Sequence, residues 1–212
     1  MSAPLAIEVV SDVVCPWCFI GEHRLAQALV RVGIAADVRF TPFLLDPTTP
    51  PEGADLRERL RAKYQLEPEV MFDRVERAAA ESGLVLDFDR VERSVDTLRA
   101  HTLLRRARAR GTQVALARAL FEAYFVEGRD VGAEPVLVEL ASRHGFATDE
   151  ARALLADPAE LERTRAEAAA QGRRGIRGVP YFVFRDRYAV SGAQPVDVLV
   201  NVLERVQREP VE

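Results

Sequence analysis

The chain contains two cysteines, separated by two residues: Cys15-Pro16-Trp17-Cys18. Thiols at this spacing can exchange a disulfide with a partner, supply half of a metal site, or sit inert in a core. The flanking residues discriminate between these. Ahead of the motif, Leu5-Ala6-Ile7-Glu8-Val9-Val10 is short, apolar and β-branched, which predicts a buried parallel strand. Behind it, Trp17, Ile20, Leu25, Leu29 and Val30 recur at roughly helical spacing, which predicts a helix opening at the motif. Pro16 suits the first turn of that helix, where a missing N–H loses no partner. Cys15 is thereby placed at a helix N-terminus, where free amides and the dipole favour an anion; the anion of cysteine is its reactive form. The expectation is a redox-active dithiol, with Cys15 as nucleophile and Cys18 as the resolving thiol.

The competing readings fare worse on these residues. Structural zinc needs four ligands, and only His23, His101 and His144 stand in support, in no paired spacing, so no metal is expected. A structural disulfide closing so small a loop would constrain the unfolded chain little. Inert thiols fit poorly with a helix start. Asp12 has two readings: a proton acceptor for Cys18 during exchange, or a turn residue bonding nearby backbone N–H groups. His23 reads as a solvated neighbour on the first helix, and His101 as a satisfied core or interface histidine.

At 212 residues the chain suits one large domain, or a domain carrying an insertion. A net charge of −4 and a pI near 5.6 argue against nucleic-acid and anionic-membrane partners. No apolar run approaches the ~18 residues that a membrane helix needs. The N-terminus shows no basic segment followed by an apolar stretch and a cleavage site, so a cytoplasmic location is expected.

The remaining elements must position the motif. Residues 36–43 alternate as a second strand ended by Pro42, and a Pro-rich loop follows over 46–53. From about Ala54 to about Ala170 the pattern is helical, with breaks at Gly83, Gly111, Gly128, Gly145 and Pro158. One helix there carries Ala117, Leu120, Phe121, Tyr124 and Phe125 on a core-facing stripe. Another opens near Asp96 or Ser94 as its cap. After Gly172 the sheet signal returns as a hairpin, Tyr181–Phe184 and Tyr188–Ser191, turning at 185–187. A final amphipathic helix carries Val198, Leu199, Val202, Leu203 and Val206. A βαβ unit and a later ββα unit, with C-x-x-C at the first helix, predict an α/β thioredoxin-like fold with a large all-helical insertion. The expected segments are 1–53 (βαβ), 54–172 (insertion) and 173–212 (ββα). Arg173, Arg174 and Arg177 read as an exposed basic turn.

The residues 11–21, Ser-Asp-Val-Val-Cys-Pro-Trp-Cys-Phe-Ile-Gly, resemble the start of DsbA-family oxidoreductases of the FrnE-like branch. Residues 124–130, 178–182 and 188–194 match that branch as well, in the expected order. The resemblance implies thiol–disulfide oxidoreductase or disulfide isomerase activity. It also implies a cis-proline at Pro180 beside the cysteines, with the Val179 backbone turned toward a bound partner. Pro16, Trp17, Val179 and Gln194 are the implied substrate-binding residues. No tightly bound cofactor is implied; glutathione is a candidate co-substrate, thiol- or disulfide-containing proteins are the candidate partners, and a homodimer is a candidate assembly. Asp96 stands where relatives commonly have Asn, and no second cysteine pair is present. Pro-Trp replaces the Pro-His of periplasmic DsbA, which implies a less oxidising couple, since no imidazolium lies beside Cys15. The same branch is similar to kappa-class glutathione transferases and 2-hydroxychromene-2-carboxylate isomerases, which carry serine at the position of Cys15. A glutathione-dependent isomerase or transferase acting on aromatic or polyketide-type molecules is therefore the rival.

Overall fold

Strand β1 (Leu5–Ser11) runs through the interior of a four-stranded sheet in the computed structural model, which describes residues 4–208. The outer ends of the first and last expected segments, 1–3 and 209–212, lie outside the described residues. Every residue from Ile7 to Ser11 is buried, as a strand covered on both faces requires. β2 (Ala36–Pro42) lies parallel to β1, in register from Leu5 opposite Ala36 to Ser11 opposite Pro42. β5 (Tyr181–Phe184) pairs antiparallel on the other side of β1, and β6 (Tyr188–Ser191) forms the far edge. Arg185 and Asp186 take left-handed φ angles of 50° and 54° in the hairpin turn, matching the twist of the strands they join. Two side chains cover the open edge of β2: Arg108 Nη1 donates to the Val38 carbonyl at 3.1 Å, and Gln113 pairs with Phe40. The Phe40 N–H donates to Gln113 Oε1 at 3.0 Å, and Gln113 Nε2 donates back to the Phe40 carbonyl at 2.9 Å.

Helix α1 (Pro16–Val32) has Pro16 in its first turn and ends at Gly33, whose φ of 70° closes the left-handed cap. Its inward face is Cys18, Gly21, Leu25 and Ala28, and Val30 points outward at 84% exposure rather than joining the core stripe. The last helix, α9 (Val196–Arg208), packs beside α1 through Leu199, Val200, Leu203 and Val206, leaving Val198 exposed.

Between β2 and β5 lie α2 (Leu56–Tyr64), α3 (Pro68–Ala80), α4 (Leu98–Ala107), α5 (Gln113–Phe125), α6 (Glu134–Arg143), α7 (Thr148–Ala156) and α8 (Pro158–Arg173). Gly83, Gly111, Gly128 and Gly145 have positive φ at breaks between these helices, and Pro158 opens α8. The block departs from an all-helical insertion in one place. β3 (Ala54–Asp55) and β4 (Arg93–Ser94) form a two-residue antiparallel ladder that ties the end of the Pro-rich loop to the approach of α4. Ser94 is thus a strand residue and not a cap. Asp96 accepts the Leu98 N–H at 2.9 Å as α4 begins. Phe121 and Phe125 on α5 stack against Phe19 of α1, at ring separations of 5.2 and 6.3 Å, joining the helical block to the sheet layer.

Candidate active site

Cys15 is the N-cap residue of α1, with extended backbone (φ −94°, ψ 109°), and its carbonyl accepts the Cys18 N–H at 2.9 Å. Both cysteines are free thiols and both are buried, but differently. Cys15 lines a cleft of about 340 Å³, whereas Cys18 is sealed beneath it at 0% exposure. Burial pushes the Cys18 thiol well above its ordinary value, and the hydrogen bond with Cys15 and that neighbour's charge push the same way. The Ser11 side chain and the Asp12 backbone pull in the opposite direction without prevailing.

The Val179–Pro180 peptide bond is cis, and the Cys15 Sγ donates to the Val179 carbonyl at 3.7 Å. Pro180 is buried and Val179 half-buried. Gly21 is where α1 meets this loop: a Cβ there would lie 2.9 Å from Pro180 Cγ and 3.1 Å from Phe182 Cζ, so glycine permits the close approach. The loop of Gly192–Gln194 lies on the other flank. Arg24 Nη1 donates to the Ala193 carbonyl at 2.7 Å, and Gln194 Nε2 donates to the Ser191 carbonyl at 2.8 Å.

The cleft is walled by Pro16 and Trp17 from the motif, Leu56, Leu60 and Tyr64 from α2, Met71, Phe72 and Val75 from α3, and Gly178 and Val179 from the proline loop. The guanidinium of Arg74 lies 5.7 Å from the Trp17 ring centre, anchoring α3 against the motif. Tyr124 closes the floor, and its hydroxyl donates to the Arg93 carbonyl at 2.7 Å. Burial first, then the charges of Asp12 and Asp130, raise the Tyr124 hydroxyl far above the usual tyrosine value.

Asp12 is not a local turn cap. Its Oδ2 accepts the Leu45 N–H at 2.7 Å, and its Oδ1 lies 3.0 Å from His101 Nε2, partners that are 33 and 89 residues away. Asp12 and His101 are 1% and 3% exposed. His101 is therefore a satisfied core histidine, and its partner is the carboxylate beside the motif. His23 is no solvated neighbour: its Nε2 lies 2.9 Å from the Ser82 carbonyl, linking α1 to the end of α3. His144 Nδ1 lies 2.7 Å from the Leu140 carbonyl. No group of three His, Cys, Asp or Glu is placed to hold a metal among the described residues. Arg173, Arg174 and Arg177 are all exposed, and Arg174 reaches across to Glu8 on β1 at 2.6 Å. Sequence reasoning missed the Asp12–His101 and Glu8–Arg174 pairs. Local spacing carries no signal for partners so distant.

The DSBA-like thioredoxin domain family matches residues 6–204. The chain belongs to that family. A probable DsbA oxidoreductase from Streptomyces coelicolor is similar at 33% identity, covering 98% of this chain and 93% of that one, with a TM-score of 0.86. The cytosolic disulfide reductase DsbM from Pseudomonas aeruginosa is 27% identical over 96% of this chain and 99% of that one, with a TM-score of 0.68, and that protein has also been solved with glutathione. A 2-hydroxychromene-2-carboxylate isomerase shares the fold at 17% identity, covering 96% of each chain, with a TM-score of 0.75. Among curated proteins, none matches. The DsbA-like, thioredoxin-fold reading drawn from residues 11–21, 124–130, 178–182 and 188–194 therefore stands. No helix among the described residues is long and apolar enough to cross a membrane.

Proposed function

We propose that this DsbA-family chain is a thiol–disulfide oxidoreductase or disulfide isomerase working through Cys15 and Cys18. One observation carries the reading: of two adjacent thiols, Cys15 opens on a cleft beside the Val179 carbonyl and Cys18 is sealed behind it. The Cys15 thiolate attacks one sulfur of a partner disulfide, forming a mixed disulfide and releasing the other sulfur as a thiolate. Cys18 then attacks Cys15, forming the intramolecular disulfide and expelling the partner's second thiolate, so two electrons pass to the partner. The reverse sequence oxidises a dithiol. Val179 and Pro180 supply backbone for an extended partner, Pro16 and Trp17 flank the attacking sulfur, and Gln194 borders the loop. Residues 54–172 act as an insertion whose α2 and α3 wall the cleft. Glutathione is the small-thiol co-substrate and the cytosol the working compartment, a reading that the similarity to the cytosolic reductase supports. Insulin reduction and refolding of a scrambled disulfide substrate test the activity. Failure of the wild type in both would remove the reading.

The rival, a glutathione-dependent isomerase or transferase, draws support from the cleft itself, whose size and apolar lining suit an aromatic small molecule. A Cys18→Ser variant separates the two: it loses turnover of protein disulfides but retains glutathione-dependent isomerisation, if isomerisation is the native reaction.

A further inference from the structure

Three side chains of α1 converge on the C-terminal end of α3. His23 Nε2 lies 2.9 Å from the Ser82 carbonyl, and Gln27 Nε2 donates to that carbonyl at 3.0 Å. Arg24, half-buried between them, donates from Nε to the Ser82 hydroxyl at 2.7 Å and from Nη2 to the Ala78 carbonyl at 3.1 Å. Its Nη1 turns the other way, to the Ala193 carbonyl at 2.7 Å. None of these three acceptors is a carboxylate, the usual partner of a guanidinium drawn out of water. The helix supplies the counter-charge instead. Ala78 is among the last four carbonyls of α3, which lack intrahelical donors and carry the negative end of its dipole.

The bond to Ala193 leads to the other side of the site. Gly192, next to it, donates its N–H to the Pro180 carbonyl at 2.8 Å, so the loop of 192–194 braces the cis-proline. One turn before Arg24, on the same face of α1, Gly21 leaves room for both Pro180 and Ala193. One guanidinium therefore joins two walls of the cleft: α3, with Met71, Phe72 and Val75, and the proline loop, with Gly178 and Val179. The bonds of His23 and Gln27 stop at Ser82 and at each other.

We propose that Arg24 is a positioning residue that sets the span of the cleft, holding α3 at a fixed distance from the proline loop and so setting affinity for a partner that touches both. The inference rests on the oxidoreductase reading for the class of that partner. It is an extended polypeptide whose backbone lies along Val179 while an apolar side chain beside its cysteine packs against Met71, Phe72 and Val75. Walls already held at the right spacing spare the partner the cost of ordering them. None of the Arg24 bonds reaches either sulfur, so the residue acts on binding and not on exchange.

The test uses a peptide disulfide with phenylalanine beside its cysteine, and a serine analogue of that peptide, which binds without exchanging. Arg24→Met keeps the stem and removes the guanidinium. KM for the disulfide should rise at least fivefold, while kcat and the iodoacetamide labelling rate of Cys15 stay within twofold of wild type. The Kd of the serine analogue, read from Trp17 fluorescence, should weaken by a similar factor. Arg24→Lys offers a point charge that cannot fork to three acceptors, so its KM should lie between the two and at least twofold above wild type. It keeps the test open if Arg24→Met does not fold. Gln27→Ala loosens the same end of α3 without touching the loop, and should leave KM within twofold. Unchanged KM in the Arg24 variants, an equal rise in Gln27→Ala, or KM, kcat and labelling changing together with the folded fraction overturns the clamp. A wild type that exchanges nothing removes the oxidoreductase reading, and the Kd ratio then decides the clamp by itself; a wild type that exchanges beside unaffected Arg24 variants removes the clamp alone.

Discussion

The two sulfurs of one helical turn face opposite worlds. Around Cys15 the surroundings are a cleft, a backbone carbonyl and apolar side chains, all suited to receiving a partner. Around Cys18 they are a sealed core, where burial outweighs the pull of Ser11 and the Asp12 backbone toward the thiolate. The comparison teaches why a dithiol enzyme needs both. A nucleophile must be reached from outside, and a resolving thiol must be kept from partners while still having somewhere to send its proton.

The contrast breaks most completely in a pair of serine variants. Cys15→Ser should reduce exchange to the uncatalysed background, whereas Cys18→Ser should retain attack and accumulate covalent adducts visible on a non-reducing gel. Adducts with Cys15→Ser and none with Cys18→Ser would reverse the assignment. Iodoacetamide should likewise label one cysteine in the native reduced protein and two after unfolding, and peptide mass mapping should place the native label on Cys15.

The buried side has its own signature in pH. Because Cys18 holds its proton more tightly folded than unfolded, its contribution to stability is complete below the ordinary thiol value near 9 and is lost as pH rises from there toward the raised folded value. The reduced protein should lose ~1.4 kcal/mol of stability per pH unit across that window. Tyr124, also raised, destabilises in the same direction at higher pH, but it does so in both redox forms. Denaturant midpoints of reduced and oxidised protein, compared from pH 8 to 10, isolate the cysteine.

How much of this was legible beforehand differs between the two sides. The strand, the motif and the helix of Cys15 are local, so alternation, Pro16 and helical spacing disclosed them without any long-range knowledge. The proline loop came through likeness to relatives at residues 178–182, since nothing in the spacing of Val179 and Pro180 points back 164 residues to Cys15. The sealed side was legible only in part. Cys18 as resolving thiol came from the motif, but the two readings of Asp12 could not be separated, because its partners, Leu45 and His101, reach it only through the packing of β2 and α4. The ladder of β3 and β4 was missed for a related reason: two residues are too few for any periodicity to register.

Gly21→Ala probes the join between the sides. The new methyl group would meet the Pro180 ring at 2.9 Å, so either α1 or the proline loop must shift. Overpacking of this kind costs ~1–3 kcal/mol. Because the loop carries Val179, exchange should fall further than the stability loss explains; exchange proportional to folded fraction would mean that the loop does not position the partner.

The smallest effect on exchange is expected from Glu8, a buried acid inside β1. Burial by itself would raise the Glu8 carboxyl, but hydrogen bonds from Arg174 and Thr41, and the Arg174 and Arg39 charges, hold it below the ordinary value. Glu8 therefore stabilises the fold above the usual carboxylate range, and that stability fades as pH falls through the lowered folded value. Glu8→Gln keeps the shape, discards the charge, and should cost ~1–3 kcal/mol at neutral pH while flattening the acid limb of the stability profile. Attack and resolution should both stay within twofold of wild type. Glu8 lies within β1, whereas Asp12 follows the strand and its carbonyl accepts the Cys15 N–H at 3.0 Å, so a large loss of exchange in Glu8→Gln would show that the ion pairs inside the strand, and not the Asp12 segment alone, set the reactivity of the dithiol.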